Sequence, residues 1–401
     1  MAKFIFIVPP LTGHINPTLS MGAVLIQRGH QVGWITLDPD LASRLPEGGE
    51  LLLIKYNESD QQKQDSEQYL DIITKKIVYG IDSIKFLYEE VLIPLNRHSY
   101  EGILDWLEKY KPDLVITDHQ MFAGAIAAVN QKIPYATSVT APAAIKIMDE
   151  LPKVHEWEVN QIVALQKELG IDKSTSIACS CLLTMVLTSK AFFGALELPS
   201  CYHFVGPVIN RKSVKTYFDW ELLLQNDRPK ILVSIGTTFD HEHKKNFFAK
   251  VIEAFAAEDL TVVVVSDPSL FEAWPANFIV QRMVPQLELL PHLDAVVCHG
   301  GHNTVCETLM NGLPMVVIPI AYDQSHVAGR VARVGAGLRL NFNRFKARHL
   351  QEAVREIIQN PAFKAAAAEI QQSFTAAGGT EAAATLLEQF SVNEPLFLIN
   401  N

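Results

Sequence analysis

Short apolar runs alternate with amphipathic stretches along most of the chain. In the first half, the runs predict strands at residues 4–8, 31–37, 114–117, 134–138 and 182–187, and helical spacing predicts helices at 16–28 and 121–131. A helix between two strands carries the chain back across the sheet, so the strands of such a unit run parallel. The pattern therefore predicts a parallel sheet that helices cover on both faces.

The same alternation starts again after an irregular polar stretch. Strands are predicted at residues 230–236, 260–265, 278–280, 295–298 and 315–318, with a helix at 244–257. Because the rhythm restarts, we predict a Rossmann-like domain at 1–210, a linker at 211–229, a second Rossmann-like domain at 230–377 and a C-terminal helix and tail at 378–401. Such domains bind ligands where the carboxyl ends of their strands meet.

The composition fits an enzyme that handles small molecules. The 401 residues are 48% hydrophobic and carry a net charge of -10, so the chain can bury two cores and offers no basic surface for a nucleic acid. Its five cysteines lie in apolar runs, which predicts buried free thiols in a reducing cytoplasm. The longest apolar runs have strand length, and Pro9 and Pro10 end the N-terminal run, so neither stable membrane insertion nor a signal peptide is predicted.

A glycine turn between a strand and a helix offers a site for phosphate. The apolar run at residues 293–298 leads into His299, two glycines and a predicted helix. A helix N-terminus presents unpaired N–H groups and the positive end of the helix dipole. His299, Asn303 and Thr304 add side-chain donors, and Glu307 lies one turn further, where a carboxylate can accept both hydroxyls of a ribose. The segment suits a nucleotide diphosphate.

Three blocks in this half resemble the signature of the UDP-glycosyltransferase superfamily, the family-1 glycosyltransferases of the GT-B fold. Residues 299–307 match the donor motif, roughly His-x-Gly-x-Asn-x-x-x-Glu, and residues 282–290 and 319–324 match the blocks before and after it. The resemblance implies an α/β fold of two facing Rossmann-like domains with parallel sheets, and a final helix that packs back on the first domain. It also places residues 53–97 beside the acceptor pocket, although those residues fit a loop and a packed helix equally well.

The resemblance assigns roles in the second domain. A glycine and a threonine after its first strand would form a phosphate loop, the backbone of Val284 would meet the uracil edge, and Gln286 would lie near the ribose. Asp323 and Gln324 resemble the pair that binds the hydroxyls of the transferred sugar, which favours glucose. The predicted donor-binding residues are Gly236, Thr237, Val284, Gln286, His299, Gly301, Asn303, Thr304, Glu307, Asp323 and Gln324.

One departure from the family concerns the base of the donor. Many members carry a tryptophan where Met283 stands, and that tryptophan stacks on the base. Methionine packs against a ring less rigidly. A thymidine diphosphate sugar therefore stays open as the donor beside a UDP-sugar.

The first domain supplies the predicted catalytic pair. Residues 13–17 resemble the family's Gly-His-x-x-Pro turn and place His14 at a helix N-terminus, where the dipole disfavours the imidazolium and leaves a ring that can accept a proton. Asp118 ends a strand and matches the aspartate that pairs with this histidine in many relatives, fixing its tautomer. The alternatives are a structural histidine and an aspartate that caps the next helix.

No metal and no cofactor are predicted. His299 and His302 are three residues apart, and residues 240–243 are rich in His, Asp and Glu, but no further ligands accompany either group. The glycines at residues 335–337 follow a helix and lack the third glycine of a dinucleotide fingerprint.

Together these features predict an inverting glycosyltransferase. It would move a sugar, with glucose favoured, from a UDP-sugar donor to a hydroxyl of a small apolar or aromatic acceptor and form a β-glycoside. Two other classes stay open. A nucleotide-sugar epimerase of the same fold would bring carboxylates to the sugar and need no acceptor base, and a non-catalytic nucleotide-sugar binding protein would lack the pair of His14 and Asp118.

Overall fold

The computed structural model describes residues 1–54, 81–209, 216–236 and 241–392. They form two compact units. The described residues of the first unit are 1–54, 84–209 and 376–392, and those of the second are 81–83, 216–236 and 241–375. Each unit contains one sheet of parallel strands. The predicted α/β class with parallel sheets is confirmed.

The sheet of the first unit has seven strands. They are β1 (Lys3–Ile7), β2 (Gln31–Thr36), β3 (Gly49–Leu53), β4 (Leu114–Asp118), β5 (Tyr135–Val139), β6 (Leu183–Val186) and β7 (Tyr202–Phe204). Their order across the sheet is β3-β2-β1-β4-β5-β6-β7. The edge strands β3 and β7 were not predicted, because their half-exposed residues lack the unbroken apolar runs of the central strands.

Helices connect these strands. They are α1 (Thr12–Gln27), α2 (Ile81–Phe86), α3 (Ile93–Tyr110), α4 (Phe122–Asn130), α5 (Ala143–Glu150), α6 (Pro152–Glu168) and α7 (Lys190–Phe193), with a 3₁₀ turn at Pro39–Ser43 and a π-helical turn at Leu87–Leu92. Helix α1 begins at Thr12, before the predicted start at residue 16. Pro17 lies inside it and has no N–H to donate to the carbonyl of Gly13.

Strand β1 shows how both faces of this sheet are covered. Phe4 and Phe6 point to one face and join a buried cluster with residues of α1. Ile5 and Ile7 point to the other face and join a second cluster with residues of α4. Full burial of such a side chain contributes about 1.5–3 kcal/mol. The predicted covering of the sheet on both faces is therefore confirmed for the first unit.

The second unit contains a six-stranded sheet. Its strands are β8 (Lys230–Ser234), β9 (Thr261–Val265), β10 (Phe278–Gln281), β11 (Ala295–Cys298), β12 (Met315–Val317) and β13 (Gly337–Arg339). Their order is β10-β9-β8-β11-β12-β13. The short edge strand β13 was not predicted, because it contributes three residues with one fully buried position.

The helices of the second unit follow the same alternation. They are α8 (Trp220–Leu224), α9 (His241–Phe255), α10 (Gln286–Leu289), α11 (His302–Met310), α12 (Gln324–Arg333), α13 (Ala347–Gln359) and α14 (Pro361–Ala377), with 3₁₀ turns at Pro268–Leu270 and Leu290–His292. Helix α8 lies in the predicted linker, and its Leu223 is buried. The described part of that segment therefore includes one short helix.

The last helix, α15 (Gly379–Val392), belongs to the first unit and lies against α1. Arg28 binds Glu388 and also Glu381, the latter with an N to O distance of 2.6 Å. His30 Nε2 lies 2.8 Å from Glu388. Ion pairs of Arg28 and a polar contact of His30 thus hold α15 to residues that follow α1.

The cysteines correct one expectation. All five are free thiols, and Cys298 and Cys306 are buried. Cys179 and Cys201 are half-buried and Cys181 is exposed, so the prediction of burial is wrong for these three. They lie just before β6 and β7, at the margin of the sheet, where neighbouring structure covers them less.

No helix in the described ranges has the length and apolarity to span a membrane.

Candidate active site

The candidate residues of each unit lie at the carboxyl ends of two adjacent strands, where the connections after these strands run to opposite faces of the sheet. In the first unit β1 lies between β2 and β4, and in the second β8 lies between β9 and β11. Open parallel sheets bind ligands at the carboxyl ends of strands at such a switch point. His14 lies in the helix that follows β1 and Asp118 ends β4, whereas Gly236 and His299 lie in the loops after β8 and β11.

The structure brings His14 and Asp118 together. His14 lies in the first turn of α1 and Asp118 is the last residue of β4, the neighbour of β1. His14 Nδ1 is 3.0 Å from Asp118 Oδ1. The α4 residue Gly124 permits close packing against β4, because a Cβ there would lie 2.5 Å from Thr117 Oγ1.

Thr140 completes this contact and was missed in the sequence. Its hydroxyl lies 2.9 Å from Asp118 Oδ2 and 2.8 Å from His14 Nδ1. The carboxylate is an acceptor, so the Thr140 O–H donates to Oδ2 and the His14 Nδ1–H donates toward Oδ1. This network assigns the lone pair of the neutral ring to Nε2. Thr140 directly follows β5, so the rule that strand ends meet could have found it.

Asp118 is buried and ionised. Its Oδ1 also accepts the backbone N–H of Gln120 at 2.9 Å. Burial acts to raise its pKa, but the two imidazoles of His14 and His119 outweigh burial and hold the pKa well below its ordinary value. Asp118 does not cap α4, whose N-cap is Met121 without a side-chain hydrogen bond.

His119 was given no role from the sequence. It is buried, its Nδ1 lies 3.3 Å from Asp118 Oδ1, and its ring is nearly parallel to that of His14, with centroids 5.7 Å apart. No motif distinguishes it from a structural histidine, so only the tertiary contact reveals it.

The residues His14, Asp118 and His119 also have the composition of a metal site, with ligand atoms within 4.8 Å of one another. Within the described residues they are the one such group. Hydrogen bonding to the Asp118 carboxylate already accounts for the His14 contact. The expectation that the enzyme needs no metal stays a prediction.

In the second unit, Gly236 and His299 form one wall of the predicted phosphate site. Gly236 ends the β8 turn with a φ of +74°, a conformation that suits glycine. A Cβ at Gly236 would lie 3.0 Å from the His299 ring, and one at Gly301 would lie 2.8 Å from its Nε2. Both glycines are therefore needed for the ring to lie here. Burial lowers the pKa of His299 to about 4, so the ring is neutral at physiological pH. Thr237 lies outside the described residues.

Helix α11 begins directly after this wall. Gly301 is its N-cap and provides no side-chain hydrogen bond, and the first turn contains no acidic residue. Asn303 and Thr304 lie in that first turn and are half-buried. The N–H groups at this end can receive an anion.

Glu307 and Gln286, the two residues assigned to the ribose, contact each other. Gln286 Nε2 donates to Glu307 Oε2 at 2.5 Å. Burial raises the pKa of Glu307 to about 7, although the Gln286 hydrogen bond acts in the opposite direction. The carbonyl of Val284 accepts the backbone N–H of Gln286 at 2.8 Å, so the residue assigned to the base lies in the same turn. Met283 beside it is 58% exposed.

The pair assigned to the sugar begins α12. Asp323 is the N-cap residue of α12, and Gln324 is buried as its first residue. Gln324 Oε1 accepts the backbone N–H groups of Ile320 and Ala321 at 2.9 and 3.0 Å, so its side-chain oxygen holds the loop that precedes α12. Tyr322 within this loop has a φ of +55°, an uncommon value outside glycine.

Known proteins similar to this chain are sugar-transferring enzymes. A family model described as UDP-glucoronosyl and UDP-glucosyl transferase matches residues 221–373. The chain is 31% identical to the NDP-glycosyltransferase YjiC of Bacillus subtilis, with 95% of each chain covered. It is 35% identical to the uncharacterized UDP-glucosyltransferase YdhE of the same organism, over 91% of this chain and 92% of that one.

The fold also has counterparts among solved structures. The crystal structure of CalG4, the calicheamicin glycosyltransferase, matches with a TM-score of 0.75 at 23% identity, covering 97% of this chain and 98% of that one. Together with the two parallel-sheet units, this similarity confirms the predicted GT-B fold class.

Proposed function

Because this chain belongs to the UDP-glucoronosyl and UDP-glucosyl transferase family, enzymes that transfer sugars, we propose that it moves glucose from UDP-glucose to a small acceptor. The acceptor is an apolar or aromatic molecule with a hydroxyl group, and the product is a β-glycoside. The observation that carries the proposal is the 3.0 Å contact between His14 Nδ1 and Asp118 Oδ1. A histidine oriented in this way is suited to deprotonating a hydroxyl. We place the reaction in the cytoplasm.

In the chemical step, the first unit supplies the base, His14. With Nδ1–H donated toward Asp118, His14 Nε2 takes the proton of the acceptor hydroxyl. The acceptor oxygen forms a bond to the anomeric carbon while the bond from that carbon to the diphosphate oxygen breaks, which inverts the configuration. The imidazolium that forms is stabilised by the ionised Asp118.

The second unit holds the donor. The N–H groups at the start of α11, with Asn303, Thr304 and the neutral His299, donate hydrogen bonds to the diphosphate and stabilise its charge as it leaves. Because donors and the helix dipole supply this stabilisation, no metal is required. Glu307 accepts the ribose hydroxyls, and Asp323 and Gln324 bind the glucose hydroxyls.

A thymidine diphosphate sugar is the second candidate donor. The exposed Met283 stands where a stacking tryptophan would favour uracil, and methionine adapts to the added methyl of thymine. The name of the relative YjiC specifies a nucleoside diphosphate without choosing a base.

Donor binding is the first test. Thermal shift and calorimetry are measured with UDP, dTDP, UDP-glucose and UDP-N-acetylglucosamine, with EDTA present throughout, on the native protein and on Glu307→Ala and His14→Ala. We expect UDP-glucose to bind native protein and His14→Ala and to bind Glu307→Ala far more weakly. Turnover is then measured with a panel of phenols.

Other outcomes would contradict parts of the proposal. If dTDP binds more tightly than UDP, the donor is a thymidine diphosphate sugar and UDP-glucose is the wrong assignment. Activity that requires a divalent metal would overturn the metal-free mechanism. Conversion of UDP-glucose to another UDP-sugar without an acceptor would indicate an epimerase. If the native protein binds none of these nucleotides, the proposal is wrong.

A further inference from the structure

A second histidine faces the carboxylate that orients His14. His119 is 7% exposed, and its Nδ1 lies 3.3 Å from Asp118 Oδ1. The same oxygen is 3.0 Å from His14 Nδ1. One carboxylate oxygen therefore interacts with two imidazoles on different elements, one on α1 and one at the end of β4.

The orientation of His119 indicates which of its nitrogens is used. A lone pair on Nδ1 would be repelled by the carboxylate, so Nδ1 carries a proton. Nε2 is buried and has no hydrogen-bond partner in the part of the chain that the structure describes. A buried polar atom without a partner costs free energy that an apolar side chain would avoid. Packing alone therefore does not account for a histidine here, whereas the contact of Nδ1 with Asp118 does.

We propose that His119 is a positioning residue that tunes the basicity of His14 by sharing Asp118 Oδ1. The inference rests on the proposed function, in which His14 is the base. The positive end of the His119 N–H dipole offsets part of the negative charge that His14 experiences. The His14 imidazolium is then less stabilised than it would be beside Asp118 alone, so His14 stays in its base form to a lower pH.

The groups around Asp118 are few. Helix α1 contributes His14, the end of β4 contributes His119, and Thr140 after β5 contributes an uncharged hydroxyl 2.9 Å from Oδ2. The Gln120 backbone N–H donates to Oδ1 at 2.9 Å. Among the described residues, the titratable side chains that act on the Asp118 carboxylate are the two histidines, and they keep its pKa low. Substituting His119 therefore changes one of these two side chains and leaves His14 in place.

Substitution of His119 by asparagine or by glutamine distinguishes the contribution of its Nδ1 from that of its Nε2. In His119→Asn the amide nitrogen takes the place of Nδ1 and can still donate to Asp118, whereas in His119→Gln it takes the place of Nε2 and that donor is lost. The measurements are the pH profile of kcat/KM with UDP-glucose and a phenol, and the titration of the His14 ring by NMR of 15N-labelled histidine.

In His119→Gln we expect the acid limb of the profile and the midpoint of the His14 titration to move up by about 0.5–1 pH unit. In His119→Asn we expect a shift below about 0.2 pH unit, since the donor remains. The KM for UDP-glucose should be unchanged in both variants. A purely structural role of His119 would lower kcat without separating the two profiles.

A second pair of variants covers the case in which a His119 variant fails to fold. Thr140→Val removes the hydroxyl that donates to Asp118 Oδ2 and lies 2.8 Å from His14 Nδ1, and it should shift the acid limb in the same direction, whereas Thr140→Ser keeps the hydroxyl and should not. Profiles that coincide within both pairs would overturn the inference.

His14→Ala distinguishes the two proposals. If that variant keeps full activity, the proposed base is wrong, while the NMR titration of His14 still tests the influence of His119. If His14→Ala is inactive and the His14 ring titrates at the same pH in His119→Gln and His119→Asn, the assignment of His14 as the base is kept and the tuning role of His119 is overturned.

Discussion

The carboxylates of the two units differ in how completely the protein itself satisfies them. Asp118 in the first unit receives donors from His14, Thr140 and the backbone, and its pKa is held well below the ordinary range. Glu307 in the second unit accepts from Gln286, and burial raises its pKa to about 7. Both sites lie at the switch point of a parallel sheet, so topology does not cause the difference.

The difference matches the two roles that we propose for these carboxylates. A base must have its orientation and tautomer ready before the acceptor arrives, so its carboxylate is satisfied in advance. The proposed donor site would need hydrogen-bonding capacity that the ligand completes. In agreement with that role, Gly301 gives α11 no side-chain cap, and burial raises the pKa of Glu307 to about 7. We infer that donor binding changes the charge of the second site and leaves the first unchanged.

The largest expected effect tests the first site. His14→Ala should lower kcat by about 10²–10⁴-fold, because the acceptor hydroxyl loses its base. UDP-glucose affinity should be unchanged, since the donor contacts are in the other unit. Steady-state kinetics and calorimetry on the same preparation measure both quantities. Equal losses of kcat and donor affinity would break the separation of the two sites.

The second effect tests the donor site. Glu307→Ala should weaken UDP-glucose binding about 10–100-fold, because hydrogen bonds to a charged group are worth about 1.5–3 kcal/mol. Calorimetry at pH 8 gives the value, and Gln286→Ala serves as a neighbouring control with a smaller loss. If Glu307→Ala binds UDP-glucose as tightly as native protein, the ribose assignment is wrong.

A pH titration sharpens the contrast in charge. Ribose hydroxyls donate to the ionised carboxylate, so binding favours the form of Glu307 that exists above its pKa of about 7. UDP-glucose affinity should therefore rise about tenfold from pH 6 to pH 8 and then level off. The diphosphate of UDP-glucose does not titrate in this range. In Glu307→Gln the affinity for UDP-glucose should not depend on pH in this range. The release of a proton on UDP-glucose binding, measured by calorimetry in two buffers, should also be absent in this variant.

The smallest effect concerns the unliganded protein. The folded-state pKa of Glu307 lies above its ordinary value of 4.5, so stability is full below pH 4.5 and falls as pH rises toward 7. Glu307→Gln should be more stable than native protein at pH 8 by about 1–2 kcal/mol, with no difference at pH 4. Asp118, whose pKa is lowered, should act in the opposite sense, so Asp118→Asn should lose stability at pH 8. Urea unfolding at both pH values compares them.

The sequence predicted the central strands of both sheets but not their edges. Strands such as β1 and β8 are buried on both faces and read as unbroken apolar runs. The edge strands β3, β7 and β13 are short or half-exposed, so their residues resemble those of loops. Their pairing depends on the neighbouring strand, which local patterning does not encode.

The candidate site divides in a similar way. His14, Asp118 and the segment from His299 to Glu307 stand in motifs, so their resemblance to a family could be recognised in the sequence. Thr140 and His119 stand in no motif. They belong to the site because β4 pairs with both β1 and β5. This pairing brings Thr140, 126 positions from His14, to 2.8 Å from His14 Nδ1, and it brings His119 Nδ1 to 3.3 Å from Asp118 Oδ1.

The sequence by itself determined the two parallel-sheet domains, the glycine turn before α11 and the residues that are candidates for the donor site and the base. These follow from periodicity and from residues close together in the chain. Only the tertiary structure decided which groups share the Asp118 carboxylate and why Glu307 and His299 have shifted pKa values. Hydrogen-bond networks and burial depend on strand order and packing, which join residues far apart in sequence and set the local dielectric.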